Sequence, residues 1–180
     1  MLTSLILPIV LATVALFFAS FLTWMVLPLH KADWRKLPKE DELHEAMRRI
    51  GIPPGNYMFP MHDSPEQMKS PEFQAKWEAG PAGVITVFRG MNMGRNLGLT
   101  LLYFLGVNFC LAYLATLALP SGAEFMRVFR FVATAGWLAF FSAIVPHAIW
   151  FRCRIVGHVV ESIGYALIAG AIFAALWPAA

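Results

Sequence analysis

Four long apolar stretches constrain this chain more than anything else in it. Leu2 to Leu29 runs without a charged residue, and a helix needs only about 20 apolar residues to cross bilayer hydrocarbon. Three further stretches follow, at 97–119, 129–150 and 155–177. Of the 180 residues 58% are hydrophobic and 14% charged, against roughly 25% charged in an ordinary globular domain. The sequence therefore predicts an all-α integral membrane protein. Four transmembrane helices are expected, with a cytoplasmic loop of roughly 65 residues, 30–96, between the first and second. The first stretch lacks a basic start and a small-residue cleavage site ahead of the charges, so it reads as a retained span.

Basic residues set the expected orientation. Ten lie between Lys31 and Arg95, Arg152 and Arg154 lie in the last turn, and only Arg127 and Arg130 lie on the other side. By the positive-inside rule the long loop and the last turn face the cytoplasm and both termini face outward. The expected location is a multi-pass position in a cell membrane of the bacterial inner-membrane kind. The net charge of +3 is small and its basic residues hug span ends, which excludes nucleic acid as a partner. The bilayer itself is the expected partner, alone or with a larger membrane complex or homo-oligomer. Cys110 and Cys153 have no C-x-x-C spacing and are expected as free thiols.

The loop has its own punctuation. Pro38 to Ile50 carries Glu40, Asp41 and Glu42 early, Arg48 and Arg49 late, and Gly51 after its end, the pattern of a short helix. Leu43, Met47 and Ile50 share one face of it. Ser64-Pro65-Glu66-Gln67 and Ser70-Pro71-Glu72 read as two successive helix starts. Val84 to Phe88 is β-branched and aromatic, so it reads as a strand, and Tyr57 to Phe59 is the partner available to pair with it. The loop is thus expected to form a small cap of short helices and a hairpin.

The last two spans form a hairpin with small residues every fourth position: Ala135, Ala139 and Ala143 on one arm, Ser162, Ala166, Gly170 and Ala174 on the other. Such stripes let helix backbones approach closely within lipid. Polar residues gather near the turn of this hairpin. Glu161 lies inside the fourth span, where carboxylates are costly and face the bundle interior. His158 and Tyr165 share its helical face at i−3 and i+4. His147 falls at similar depth on the third span beside Pro146, and His30 and Asn96 end the same layer.

His147, His158 and Glu161, with His30, are therefore the candidate polar layer, a set able to ligate zinc or iron or to move protons. The plainer reading is a set of interfacial side chains bonded to one another. Asn108, mid-span, reads as helix-to-helix glue.

No nucleophile–base pair, phosphate loop or firm metal signature is present, so the sequence fits a non-enzymatic accessory or assembly subunit of a membrane complex. The alternative is a small membrane enzyme, or a proton or substrate carrier, with its polar site at the cytoplasmic side of the bundle. One span, a long loop and three further spans resemble the layout of the glutathione- and eicosanoid-handling membrane transferases. The Glu-Arg-x-x-x-Asn pattern of that family does not occur here, so the resemblance assigns no residue a role.

Overall fold

The computed structural model describes residues 1–180, and 68% of them are helical. Four helices are long and apolar enough to cross a membrane: Leu2–Val26, Met93–Ala118, Phe125–Phe151 and Val156–Ala175. Their outward faces carry exposed side chains such as Phe18, Leu102 and Leu117, each more than 60% accessible. Apolar cover on that scale suits lipid, and it makes this a multi-pass helical membrane protein.

The first span is composite. A 3₁₀ turn over Leu2–Leu5 leads into α1 (Ile6–Phe21), which widens into a π turn over Leu22–Val26. The span therefore ends before Pro28, short of the boundary expected at Leu29. Pro28–His30 then forms a 3₁₀ turn, and the Asp33 amide donates to the His30 carbonyl, so the chain curls back at once. The remaining spans are α5 (Met93–Ala118), the broken pair α6 (Phe125–Phe141) and α7 (Ile144–Phe151), and α8 (Val156–Ala175). Pro146 explains the break. It has no N–H for the Ser142 carbonyl four residues earlier, and its ring crowds that carbonyl. Helix α6 therefore stops at Phe141 and a turn at Ser142–Ala143 precedes α7.

Packing makes a ring, with α8 against α6 and α1, and α5 against α1 and α6. Toward the chain termini the core is Leu5, Ile9 and Ala12 against Leu111, Ala112 and Ala115, closed by Val128, Val132 and Phe173. Nearer the polar layer, Leu16 packs with Phe104 and Tyr165. The rings of Phe104, Phe140 and Tyr165 meet edge to face, with centroids 5.5–6.2 Å apart, an arrangement the aromatic quadrupole favours. Asn108 is fully buried, donating 2.9 Å to the Phe104 carbonyl and reaching Thr13 of α1 at 3.4 Å.

The α6–α8 seam uses the small residues of the α8 stripe, and of the α6 stripe only Ala135 packs on the core. A Cβ on Gly170 would meet Ala133 Cβ at 3.0 Å, Phe129 Cδ2 at 3.1 Å and the Phe129 carbonyl at 3.2 Å. One on Gly136 would meet Ala166 Cα at 3.5 Å. On α6 the residues closest to these glycine positions are thus Phe129, Ala133 and Gly136; of the expected stripe Ala135 packs on the core, while Ala139 and Ala143 are exposed. Val128, Val132 and Gly136, four residues apart, set the buried face of α6 and turn Ala139 outward, while Ala143 falls in the break. At the chain-terminal end of the bundle, the Trp177 indole donates to the Pro120 carbonyl at 2.9 Å and the Gly122 amide to the Pro178 carbonyl at 2.8 Å. Gly122 has φ +73, and a Cβ there would lie 3.0 Å from Ala180 Cβ, so glycine is required at this turn.

Residues 36–92 form a second compact unit. Helix α2 (Glu40–Ile50) ends in a Schellman motif: Gly51, at φ +73, donates to Arg48 and Ile52 to Met47. Ser64 and Ser70 cap α3 (Pro65–Met68) and α4 (Pro71–Ala79) by accepting from Gln67 and Phe73. A backbone hydrogen bond at the start of α3, with the Ser64 hydroxyl, holds the Glu66 carboxyl below the usual carboxylate range. Strand β1 (Gly55–Phe59) pairs antiparallel with β2 (Gly83–Val87), Tyr57 opposite Ile85.

The seam yields a direct test. Gly170→Leu must push Ala133 and Phe129 apart, and overpacking of this kind costs about 1–3 kcal/mol. Thermal unfolding in detergent should show that loss for Gly170→Leu and almost none for Ala139→Leu, whose side chain would enter open space.

Candidate functional site

The polar layer forms where the first span ends and α8 begins. Glu161 is the sixth residue of α8, about 8 Å along its axis, and it is only 6% exposed. Its two carboxylate oxygens have separate surroundings. Oε1 accepts from the hydroxyls of Tyr165, at 2.9 Å, and Thr23. Thr23 reaches it from the π turn of the first span, and wide turns of that kind recur at functional sites. Oε2 faces two imidazoles, with His30 Nε2 at 3.1 Å and His158 Nδ1 at 3.9 Å.

His30 is the best-fixed member. It is 4% exposed, and its ring stacks on Trp24 with centroids 3.9 Å apart and planes 9° from parallel. Its Nδ1 lies 2.6 Å from Asp33 Oδ2. An ionised carboxylate only accepts, so Nδ1 carries the proton and donates it there. Asp33 is tied in turn to Arg154, whose Nε is 3.6 Å from Oδ1. The backbone of α8 also leaves room for the ring, since a Cβ on Gly157 would stand 2.7 Å from His30 Cε1 and 2.8 Å from Nδ1. Only glycine fits at that position with the ring in place.

Above this polar foot lies a pocket of about 420 Å³ between α1, α5 and α8. Phe17, Phe21, Trp24, Tyr103, Phe104 and Phe140 give its wall an aromatic character, and His158, Glu161 and Tyr165 line its polar end. Phe21, Trp24 and Tyr103 at the rim are about half exposed, on the lipid-facing side of the spans.

The structure thus brings together His30, His158 and Glu161, whose ligand atoms all lie within 4.8 Å of one another. His147 stands apart from that group. It is exposed on α7, and its ring packs on Phe151 at 4.7 Å. The broken helix gives α7 its own rotation, so equal depth along the sequence does not bring His147 to the other imidazoles. Asn96, also assigned to this layer, is exposed at the start of α5. Four contributors escaped the sequence reading: Asp33, Thr23, Trp24 and Gly157. His30 and Asp33 at i and i+3 just after Pro28 were the one local signal. The other three depend on contacts across helices that no spacing encodes.

Removing the carboxylate separates its two roles. Glu161→Leu leaves the Tyr165 and Thr23 hydroxyls without their shared acceptor, about 1–3 kcal/mol for each stranded group. Glu161→Gln keeps an acceptor oxygen. Unfolding in micelles should therefore show a clearly larger loss for Leu than for Gln. No protein-family model matches the chain, nor does any curated protein or solved structure.

Proposed function

We propose that this protein binds a lipophilic molecule drawn from the bilayer and seats its polar head on the Glu161–His158 foot of the pocket. One observation carries the reading: a buried carboxylate with two histidines closes the end of an apolar pocket whose rim is exposed on the face of the spans. A volume of about 420 Å³ falls in the usual range for small-ligand sites, which pair apolar walls with a few convergent polar groups. Intramembrane ionisable residues mark substrate or proton paths by default, because helix packing alone gives no reason to keep them. A purely structural accessory subunit needs neither the charge nor the space. The function supported best is therefore that of a small membrane enzyme or carrier acting on such a ligand.

The distribution of basic residues supports placing this site at the cytoplasmic face, with both termini outside. A reporter inserted near Asn56 is then expected to report a cytoplasmic position, and one fused after Ala180 an extracytoplasmic one. The opposite pattern moves the site to the other face.

Occupancy of the pocket is testable with native mass spectrometry. Protein reconstituted with a mixture of phospholipid, long-chain fatty acid and isoprenoid quinone should retain one species on release from detergent. Thr100→Trp, which puts an indole into the pocket from α5, should lower that retention at least about tenfold, or ~1.4 kcal/mol. Equal retention by wild type and Thr100→Trp, in folded protein, would sink the proposal.

A further inference from the structure

The donor arrangement around Glu161 carries a second conclusion, independent of what fills the pocket. His30 Nδ1 donates to Asp33, so in the neutral ring Nε2 presents a lone pair. That lone pair lies 3.1 Å from Glu161 Oε2, itself an acceptor, and both residues are buried. Two acceptors so placed repel unless a cation lies between them. A proton on Nε2 is the simplest cation, but it would need an aligned N–H···O bond. The pair is not aligned for one: Nε2 is buried without a hydrogen-bond partner despite the short distance.

A metal ion has different requirements. It sits off the line joining its ligands, with both lone pairs directed at it. We infer that His30 Nε2, His158 Nδ1 and Glu161 Oε2 form a site for a divalent transition ion of the zinc type.

The details of the site agree with that assignment. Two imidazoles and one carboxylate are a donor set of catalytic zinc sites, in which the fourth position stays open. Ligands at about 2.0–2.1 Å from a tetrahedral ion stand about 3.3 Å from each other. The His30–Glu161 separation of 3.1 Å is already close to that, and the His158–Glu161 separation of 3.9 Å is wider. His158 is the more exposed of the three, its side chain 29% accessible. The ligand atoms of the three residues lie within 4.8 Å of one another, so an inward swing of His158 by up to about 1.5 Å brings the set to bonding distance. Asp33 holds the far nitrogen of His30, the carboxylate–histidine arrangement that fixes the tautomer and orientation of a metal ligand. Trp24 and Gly157 confine the ring to one plane. Both His158 and Glu161 line the pocket, so a fourth ligand would come from there.

The test is metal content of the intact protein. Chains purified in detergent from zinc-supplemented cells, then dialysed against metal-free buffer, should hold about one zinc each by mass spectrometric elemental analysis. His30→Ala, His158→Ala and Glu161→Gln should each lose it, and His147→Ala should keep it. Asp33→Asn should still bind, with affinity lower by about 10- to 100-fold. Cobalt(II) added to metal-stripped wild type should produce the intense visible bands of a four-coordinate ion, a readout that does not depend on how well any variant folds. Wild type with neither zinc nor those bands overturns the inference. Zinc retained equally by His30→Ala and Glu161→Gln overturns it as well, by placing the ion elsewhere.

Discussion

A charged carboxylate inside hydrocarbon must be surrounded by partners, and the architecture around Glu161 follows from that cost. An ionised group at the centre of a span costs roughly 2.5–3.5 kcal/mol on insertion scales, and unpaired burial in a dry interior costs more. Thr23, Tyr165, His30 and His158 share the task. Each needs a local distortion or a sequence position that an unadorned bundle would not have. The first span opens into a π turn that carries Thr23 inward. The chain then reverses through Pro28 so that His30 enters under Trp24. Helix α8 begins with a glycine where the imidazole lies against its backbone.

How much of this the sequence announces depends on the range of the interaction. The spans were legible because the bilayer permits few solutions and because twenty uncharged residues have almost no other use. The pairing of His158, Glu161 and Tyr165 was legible because helix geometry alone puts i, i+3 and i+7 on one face. The capping serines and Gly51 were legible for the same local reason. His147 shows where such reasoning stops. Depth along a span can be counted from sequence, but rotation about the axis is lost when the helix is interrupted, as it is at Ser142–Ala143. The stripe on α6 shows it again. Several small residues were eligible for the seam, and the buried valines on the same helix decided which of them meet α8.

The pocket and the polar foot also explain why so small a protein has so many aromatic rings at one level. Phe104, Phe140 and Tyr165 meet edge to face in the pocket wall beside the carboxylate. Apolar surroundings lower the local dielectric, and a low local dielectric strengthens each of the hydrogen bonds to it. The titratable groups of the bundle core, His30 and Glu161, thus gather at one end of it, beside the pocket.

The clasp at the opposite end has a mechanical consequence. Trp177 on Pro120 and Gly122 on Pro178 bind the turn after α5 to the tail of α8, next to the larger buried core cluster. The other end is built from a π turn, a 3₁₀ turn and a helix cut in two. A bundle pinned at one extremity and jointed at the other behaves as a set of levers with a common fulcrum. Any rotation about the clasp displaces the residues beside Glu161 farther than those of the core next to it, because displacement grows with distance from the pivot.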